Sequence, residues 1–210
     1  MLKKHAAEVT GGLTQTSKMP CKSYSLPTIA CRTGFKMAAI AGSICSSCYA
    51  NKGFYSMYAG TIEPAQHARL ESLADPLWIE AMVVLIGSDS YFRWHDSGDL
   101  QDVSHLELIA EVCDRTPNCK HWLPTREYGM VRAFLASRDV PANLTIRLSA
   151  MYPDVAVKVP ASLAGIPGIT VSNVHTVSPV GMECEANKRG GVCGSCRACW
   201  SDVAVSYRLH

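Results

Sequence analysis

Eight of the ten cysteines in this chain fall into two groups, Cys21, Cys31, Cys45 and Cys48 near one end and Cys184, Cys193, Cys196 and Cys199 near the other. Each group closes on tight spacing, Cys45-x2-Cys48 in the first and Cys193-x2-Cys196-x2-Cys199 in the second. Thiols gathered so tightly call for disulfides or for metal, and either would dictate how the backbone around them turns. Disulfide frameworks belong mainly to small secreted chains. This chain has 210 residues, and Met1 to Thr16 is polar, with no apolar stretch of the kind a secretory leader carries. The cysteines therefore read as metal ligands in a reducing cytoplasm.

In the C-terminal group a CxxCxxC run lets one loop place three thiolates on three irons of a cuboidal cluster, and Cys184 is the natural fourth ligand. Gly190, Gly191 and Gly194 give that loop room to bend. Four thiolates also suit tetrahedral zinc, usually on paired CxxC knuckles, so zinc is the rival. In the N-terminal group thirteen residues separate Cys31 from Cys45. Cys21 is either a fourth ligand, which would close a four-iron cluster, or a free thiol, which would leave one iron open to a small molecule. Cys113 lies on the apolar face of an expected helix and reads as core packing. Cys119 precedes a strand, and neither is assigned to metal.

The chain is 48% hydrophobic and 18% charged, enough apolar material for one folded domain. A net charge of +2 gives no broad basic field for nucleic acid, and no run of about 18 apolar residues marks a membrane span. Residues 1–60 form an irregular cysteine-rich segment, 61–178 a βα core, and 179–210 a second cysteine-rich segment. Within the core, Leu70, Leu73, Leu77, Ala81 and Val84 predict one helix over 61–87. Strands follow at 91–95, 121–123, 144–150 and 168–175, with helices at 103–115 and 128–137, and 203–210 alternates as an edge strand would. Strands separated by helices imply a parallel sheet with right-handed crossovers, here a partial, open (β/α) barrel.

Polar residues collect where these strands end: His95, Asp96, Ser97 and Asp99, then Thr125, Arg126 and Glu127, then Arg147 and Ser149, then Ser172 and His175. Sites in parallel α/β folds lie at the carboxyl ends of the strands. One shared pocket of Asp96, Asp99, Arg126, Glu127 and Arg147 is therefore the expectation, against the simpler reading that some of these, Asp99 or Asp102 among them, are helix caps. His95 reads as a buried histidine, Trp78, Trp94 and Trp122 as core, and Trp200 as a shield beside Cys199.

The runs SKMP, SYSLP, CSSCYANKG, FRWHDSGDLQ, WLPTRE, NLTIRLSA and CGSCRACW occur in an order that resembles the phage "gene product 88" family over roughly residues 17–210. The resemblance implies a phage or prophage protein acting in the infected or lysogenic bacterial cytoplasm, and it places Cys31, Cys45, Cys48, Cys184, Cys193, Cys196 and Cys199 at motif positions and Cys21 outside them. The architecture also resembles radical S-adenosylmethionine (SAM) enzymes, in which a [4Fe–4S] cluster on three cysteines presents its open iron to SAM. That likeness implies a SAM contact at Ser97, Gly98 and Asp99, with Arg147 and Ser149 holding carboxylate or ribose, and an auxiliary cluster at the C-terminal group. The Cys31 to Cys45 spacing departs from the CxxxCxxC of those enzymes. Beside the enzyme stand two other readings, a non-catalytic iron–sulfur carrier, sensor or host-protein-binding factor, and a zinc-stabilised module.

Overall fold

Short strands alternating with helices from residue 91 onward can bury their apolar faces by pairing in parallel, with each helix crossing back over the sheet. The computed structural model, which describes residues 1–209, does this. Strands β1 (Thr14–Gln15), β2 (Lys22–Tyr24), β3 (Tyr91–Trp94), β4 (Lys120–Thr125), β5 (Leu144–Ser149), β6 (Ile169–His175), β7 (Met182–Glu183) and β8 (Val205–Arg208) form one sheet in the order β1-β2-β3-β4-β5-β6-β8-β7. Only the β1–β2 pair is antiparallel. The sheet ends at β1 and β7 without closing, which is the open, barrel-like α/β architecture expected.

The helices are α1 (Lys3–Thr10), α2 (Arg32–Ala38), α3 (Phe54–Met57), α4 (Ala59–Ser72), α5 (Trp78–Ile86), α6 (Val103–Arg115) and α7 (Tyr128–Phe134). Helix α6 has the bounds its periodicity predicts. Asp102 caps it by accepting the His105 N–H at 2.8 Å, and Leu106, Ala110 and Cys113 are buried on its inner face. The expected single helix over 61–87 is in fact two, α4 and α5. Pro76 disfavours helical geometry at Asp75, whose carboxylate accepts the Leu77 N–H at 2.8 Å, and Leu77 is 42% exposed rather than part of a buried stripe. Residues 1–60, expected to be irregular, hold α1, α2, α3 and the strands β1 and β2. Strand β8 is not an edge strand either: it lies between β6 and β7. His210, the last residue of that predicted strand, lies outside the described residues.

The two faces of the sheet differ in kind. Tyr24, Phe92, Trp94, Leu123, Ile146 and Leu148 point to one face and form the main core with helices that include α5 and α6. The opposite face carries Ser23, Arg93, Trp122, Thr145, Arg147 and Ser172, a polar surface that needs a polar cover. Residues 198–203 supply it. Trp200 packs edge-on against Trp122 and donates its indole N–H to the Phe92 carbonyl at 2.8 Å. Trp78 and Trp94 lie in the main core as expected, whereas Trp122 belongs to this second cluster with Cys21 and Trp200. Among the described residues no helix is long and apolar enough to cross a membrane.

Two features make the fold testable. Gly98 has φ +80°, and a Cβ there would lie 2.5 Å from Leu26 Cβ and 2.8 Å from the Leu26 carbonyl oxygen. Gly98→Ala should cost about 2–4 kcal/mol in a urea titration, from left-handed backbone strain plus overpacking. Burial holds His105 and His121 neutral, with pKa values lowered to about 4 and about 3, and holds His95 neutral too. The unfolded chain takes up these protons near pH 6.5, so unfolding free energy should fall as pH drops from about 6.5 toward 4. Asp99, raised by burial to about 6, works the opposite way below pH 6 and only partly offsets three histidines. Urea titrations at pH 7.5 and 4.5 should show the loss, and His121→Phe should lessen it.

Candidate metal centre

Three of the N-terminal cysteines, Cys31, Cys45 and Cys48, lie in the crossover from β2 to β3, past the carboxyl end of β2. Cys31 stands at the start of α2, Cys45 lies within a 3-10 turn over Ile44–Ser47 and Cys48 directly follows it, the turn being capped by Ser43 Oγ accepting the Ser46 N–H at 3.0 Å. Gly34, in the first turn of α2, brings these parts together. A Cβ at that position would lie 3.1 Å from Cys31 Cβ, 3.6 Å from Cys31 Sγ and 3.7 Å from Cys45 Sγ, so two sulfurs flank one point that glycine leaves clear. Cys31 and Cys45 lie within electrostatic reach of each other, of Cys48, of Asp99 and of Arg126. Burial, with Asp99 and the neighbouring thiols, pushes Cys31 up to about 12, and burial raises Cys45 against the pull of Arg126. Such thiols are neutral at pH 7 and poor nucleophiles, and a metal that binds them must displace their protons.

The strand-end residues hold this loop in place. Glu127, after β4, accepts the Thr33 N–H at 2.6 Å and the Thr33 hydroxyl at 2.8 Å, so its carboxylate sits at the amino end of α2, two residues from Cys31. Asp96, after β3, accepts the Tyr55 hydroxyl at 3.0 Å, and its carbonyl accepts the hydroxyl of Tyr49, the residue after Cys48. Ser97 donates to the Leu26 carbonyl at 2.6 Å and accepts from Gln66 at 3.0 Å. Asp99 accepts from Thr125 Oγ1 at 2.6 Å and from the N–H groups of Leu100 and Arg126 at 2.8 and 2.9 Å. Arg126 donates to the Ala150 carbonyl at 3.0 Å. The structure thus brings Asp96, Asp99, Arg126 and Glu127 to one end of the sheet, where Asp96 and Glu127 clamp the cysteine loop.

Arg147 departs from that expectation. It is fully buried beneath the C-terminal segment, and all five of its N–H groups go to carbonyls: Cys199 at 2.9 Å, Val171 at 3.0 Å, Val203 at 2.8 Å, and Ala198 and Ser201 at 2.6 Å. Ser149 accepts from Ser172 at 3.2 Å, and His175 bonds Ser206 at 2.8 Å. His95, at φ +52°, is buried with neither ring nitrogen hydrogen-bonded, 5.2 Å from the His105 ring.

The C-terminal cysteines lie in the crossover from β7 to β8. Cys184 donates its N–H to Ser206 at 2.8 Å, Cys193 to the Lys18 carbonyl at 3.0 Å and Cys196 to Cys193 at 3.3 Å, while Cys199 Sγ lies 3.2 Å from the Tyr207 hydroxyl. Cys193 is within electrostatic reach of Cys184 and Cys196, and Cys199 of Cys184. Burial raises Cys199 to about 11, against the Tyr207 hydrogen bond and Arg147. Cys21 belongs on this side of the molecule. It is buried against Trp122 and Trp200 and within electrostatic reach of Cys193. The N-terminal thiols shown within reach of one another are Cys31, Cys45 and Cys48. Cys113 lies in the main core, as expected.

Among the described residues, no three or more His, Cys, Asp or Glu side chains are drawn together closely enough to hold a metal ion. A cavity of about 310 Å³ opens beside the loop between Pro27, Asn51, Tyr55, Glu63 and His67, and no cysteine lines it. Sequence reasoning passed over Arg93, Tyr49 and Tyr55. Arg93 alternates with core residues on β3, and a charge at an inward strand position is the signal that could have found it.

A sequence model described as Gene product 88 matches residues 1–202. The chain belongs to the Gene product 88 family. The phage affiliation implied by its motifs accords with that membership. No curated protein and no solved structure matches the chain.

These anchors predict separable defects in this Gene product 88 protein. Glu127→Ala should cost about 1–2 kcal/mol, the value of a helix-capping acceptor, and loosen Cys31 preferentially, read as faster alkylation of Cys31 than of Cys199 by mass spectrometry. Arg147→Met removes a charged donor from five carbonyls under the C-terminal segment and should cost more than about 3 kcal/mol in a urea titration.

Proposed function

We propose that this protein carries iron–sulfur clusters at both cysteine groups, and that the N-terminal one, held by Cys31, Cys45 and Cys48, serves a radical-SAM-like enzyme. The observation that supports this is the gathering of three cysteines past the carboxyl end of β2, beside the polar ends of β3 and β4, with Cys21 on the far side of the molecule. Parallel α/β proteins do their chemistry at that end. A cuboidal cluster binds each thiolate to a separate iron, so its thiols stand further apart than around a single ion, and this accommodates the lack of a closed single-ion site. With three protein ligands, one iron stays open to the amino and carboxylate groups of SAM, and the bound cluster would supply the electron for reductive cleavage.

The chain's own groups would do the rest. Tyr49, Asp96 and Glu127 fix the loop, Arg126 sets positive charge against the thiolates, and burial limits water at Cys45. Ser97, Gly98 and Asp99 border this site, with the hydrogen bonds of Ser97 and Asp99 already committed within the protein. Asp96 Oδ1 is buried without a partner, and it is the carboxylate oxygen left for an ammonium group. The second group, Cys184, Cys193, Cys196 and Cys199, would form a closed auxiliary cluster shielded by Trp200.

A second reading, a carrier, sensor or host-protein-binding factor, draws support from those same commitments. Asp99, Glu127 and Arg147 hold the protein together and are not free for a substrate. Ile29, Phe35 and Met57, at 64, 57 and 72% exposed on the cysteine-rich segment, suit a docking partner. The deciding measurement is iron, acid-labile sulfide and EPR on anaerobically purified protein, with and without SAM. Iron with sulfide, and an EPR signal altered by SAM, is expected for the enzyme. An unaltered signal selects the second reading, and stoichiometric zinc without sulfide overturns both. Cys31→Ala should remove about half the iron, whereas Cys21→Ala should leave the N-terminal signal intact.

A further inference from the structure

The cavity of about 310 Å³ beside the cysteine loop is walled by two 3-10 turns, Thr28–Ala30 and Tyr49–Asn51, and by the first half of α4. Pro27, Ile29, Ala50, Ala59 and Ile62 give it apolar sides. Its polar groups are turned one way, because their hydrogens are already spent inside the protein. Thr28 gives its hydroxyl hydrogen to Asn51 Oδ1 at 2.6 Å, and Tyr55 gives its own to Asp96 Oδ2 at 3.0 Å, so both hydroxyls have only lone pairs left. Ser97 donates to the Leu26 carbonyl, so its oxygen must accept from the Gln66 amide at 3.0 Å. That bond fixes which way the buried Gln66 amide is turned, and it leaves Gln66 Oε1 without a partner among the described residues.

The charge has the same sense. Glu63 lies one helical turn from Gln66, is exposed, and has no ion pair among the described residues. No Lys or Arg among the described residues lines the cavity. Asp96, behind Tyr55, is within reach of the charges of Arg69 and Arg93, which leaves Glu63 as the unbalanced carboxylate. Acceptors beside a free carboxylate suit a group that only donates and carries positive charge. An ammonium, with three N–H donors and no acceptor, is that group. A carboxylate or phosphate would meet lone pairs and a like charge. The donors that remain, on Asn51, Ser56 and His67, can serve water.

We propose that this cavity binds a small primary amine with an apolar body. Glu63 takes the ammonium together with acceptors from Gln66 Oε1, Thr28 and Tyr55, and Ile29 and Ile62 cover the body. Volumes near 300 Å³ are the small end of the range for ligand pockets, so the body is short. No cysteine lines the cavity, and the inference does not depend on what the thiols hold.

The test is a titration of the full-length protein followed by amide NMR, with phenethylamine, n-butylamine, 2-phenylethanol and 3-phenylpropionate as probes. An amine should give saturable shifts at Asn51, Tyr55 and Gln66. The alcohol, with a hydroxyl in place of the ammonium, should bind at least about tenfold more weakly, and the carboxylate should not bind. Glu63→Gln, an exposed change that keeps the shape, should weaken the amine at least about tenfold. Glu71→Gln, exposed on the same helix outside the cavity, should leave its affinity unchanged. No saturable shift with either amine overturns the inference, as do equal affinities for amine and alcohol. Equal losses in Glu63→Gln and Glu71→Gln show general attraction to an acidic helix and overturn it too. Saturation of these residues by zinc chloride but by neither amine assigns Glu63 and His67 to a metal instead, and again overturns it.

Discussion

A buried guanidinium with no carboxylate partner holds the two halves of this molecule together. Arg147 stands on the face of the sheet turned away from the helices, and its five N–H groups gather carbonyls from β6 and from residues 198–203. The cost of burying the charge is offset by dipoles in place of a counter-ion. The geometry is demanding, because four of the five carbonyls come from residues 198–203, outside the strands of the sheet. The C-terminal segment can therefore lie across the sheet only in the one path that brings those carbonyls to Arg147. That path carries Trp200 onto Trp122 and leaves Cys199 beside Tyr207. The arrangement of the second cysteine group follows from an arginine some fifty residues earlier.

The first cysteine group depends on a different device. Its segment is a chain of short helices and 3-10 turns, and the ends of the parallel strands fasten it. The carboxylate of Glu127 takes both donors of Thr33, the carboxylate of Asp96 takes the Tyr55 hydroxyl, and the Asp96 carbonyl takes that of Tyr49. Anionic acceptors, which serve Thr33 and Tyr55 here, make the stronger class of hydrogen bond, so few contacts suffice to fix the loop. The polar strand ends that mark a substrate pocket in many parallel α/β proteins act here as an inner scaffold. Whatever the loop binds meets a surface already ordered, with Asp96 Oδ1 and Arg126 as the charged groups nearest to hand.

Much of this was legible in the residues. The core strands from β3 to β6 and helix α6 follow from alternation and a three-to-four periodicity, because each buries a continuous apolar face and has a clear cap or turn at its ends. Strand β2 was not legible: three residues, Lys22 to Tyr24, carry no pattern, and their extended form is set by pairing with β3. The break at Pro76 was present in the sequence but was overridden by a run of leucines whose spacing continues through it. The central place of β8 is invisible locally, since an alternating segment looks the same at an edge as between two partners. The strand-end cluster was found, but its purpose was misassigned for Arg147, because a sequence does not say which of an arginine's neighbours are unpaired carbonyls. Cys21 looks from spacing like the first member of the N-terminal group, and only the fold carries it to the other side.

Both cysteine groups occupy crossovers, the stretches where a parallel sheet usually places a helix. A helix completes its own hydrogen bonds. The β2–β3 crossover carries helices α2 to α5 beside its cysteine turns, whereas the described β7–β8 crossover has 3-10 turns and no α-helix. The first stretch therefore has internal order of its own, and the second takes its path from Arg147 and from the strands it spans. The margin at β7 is thus the part of the sheet that leans most on groups outside its own backbone.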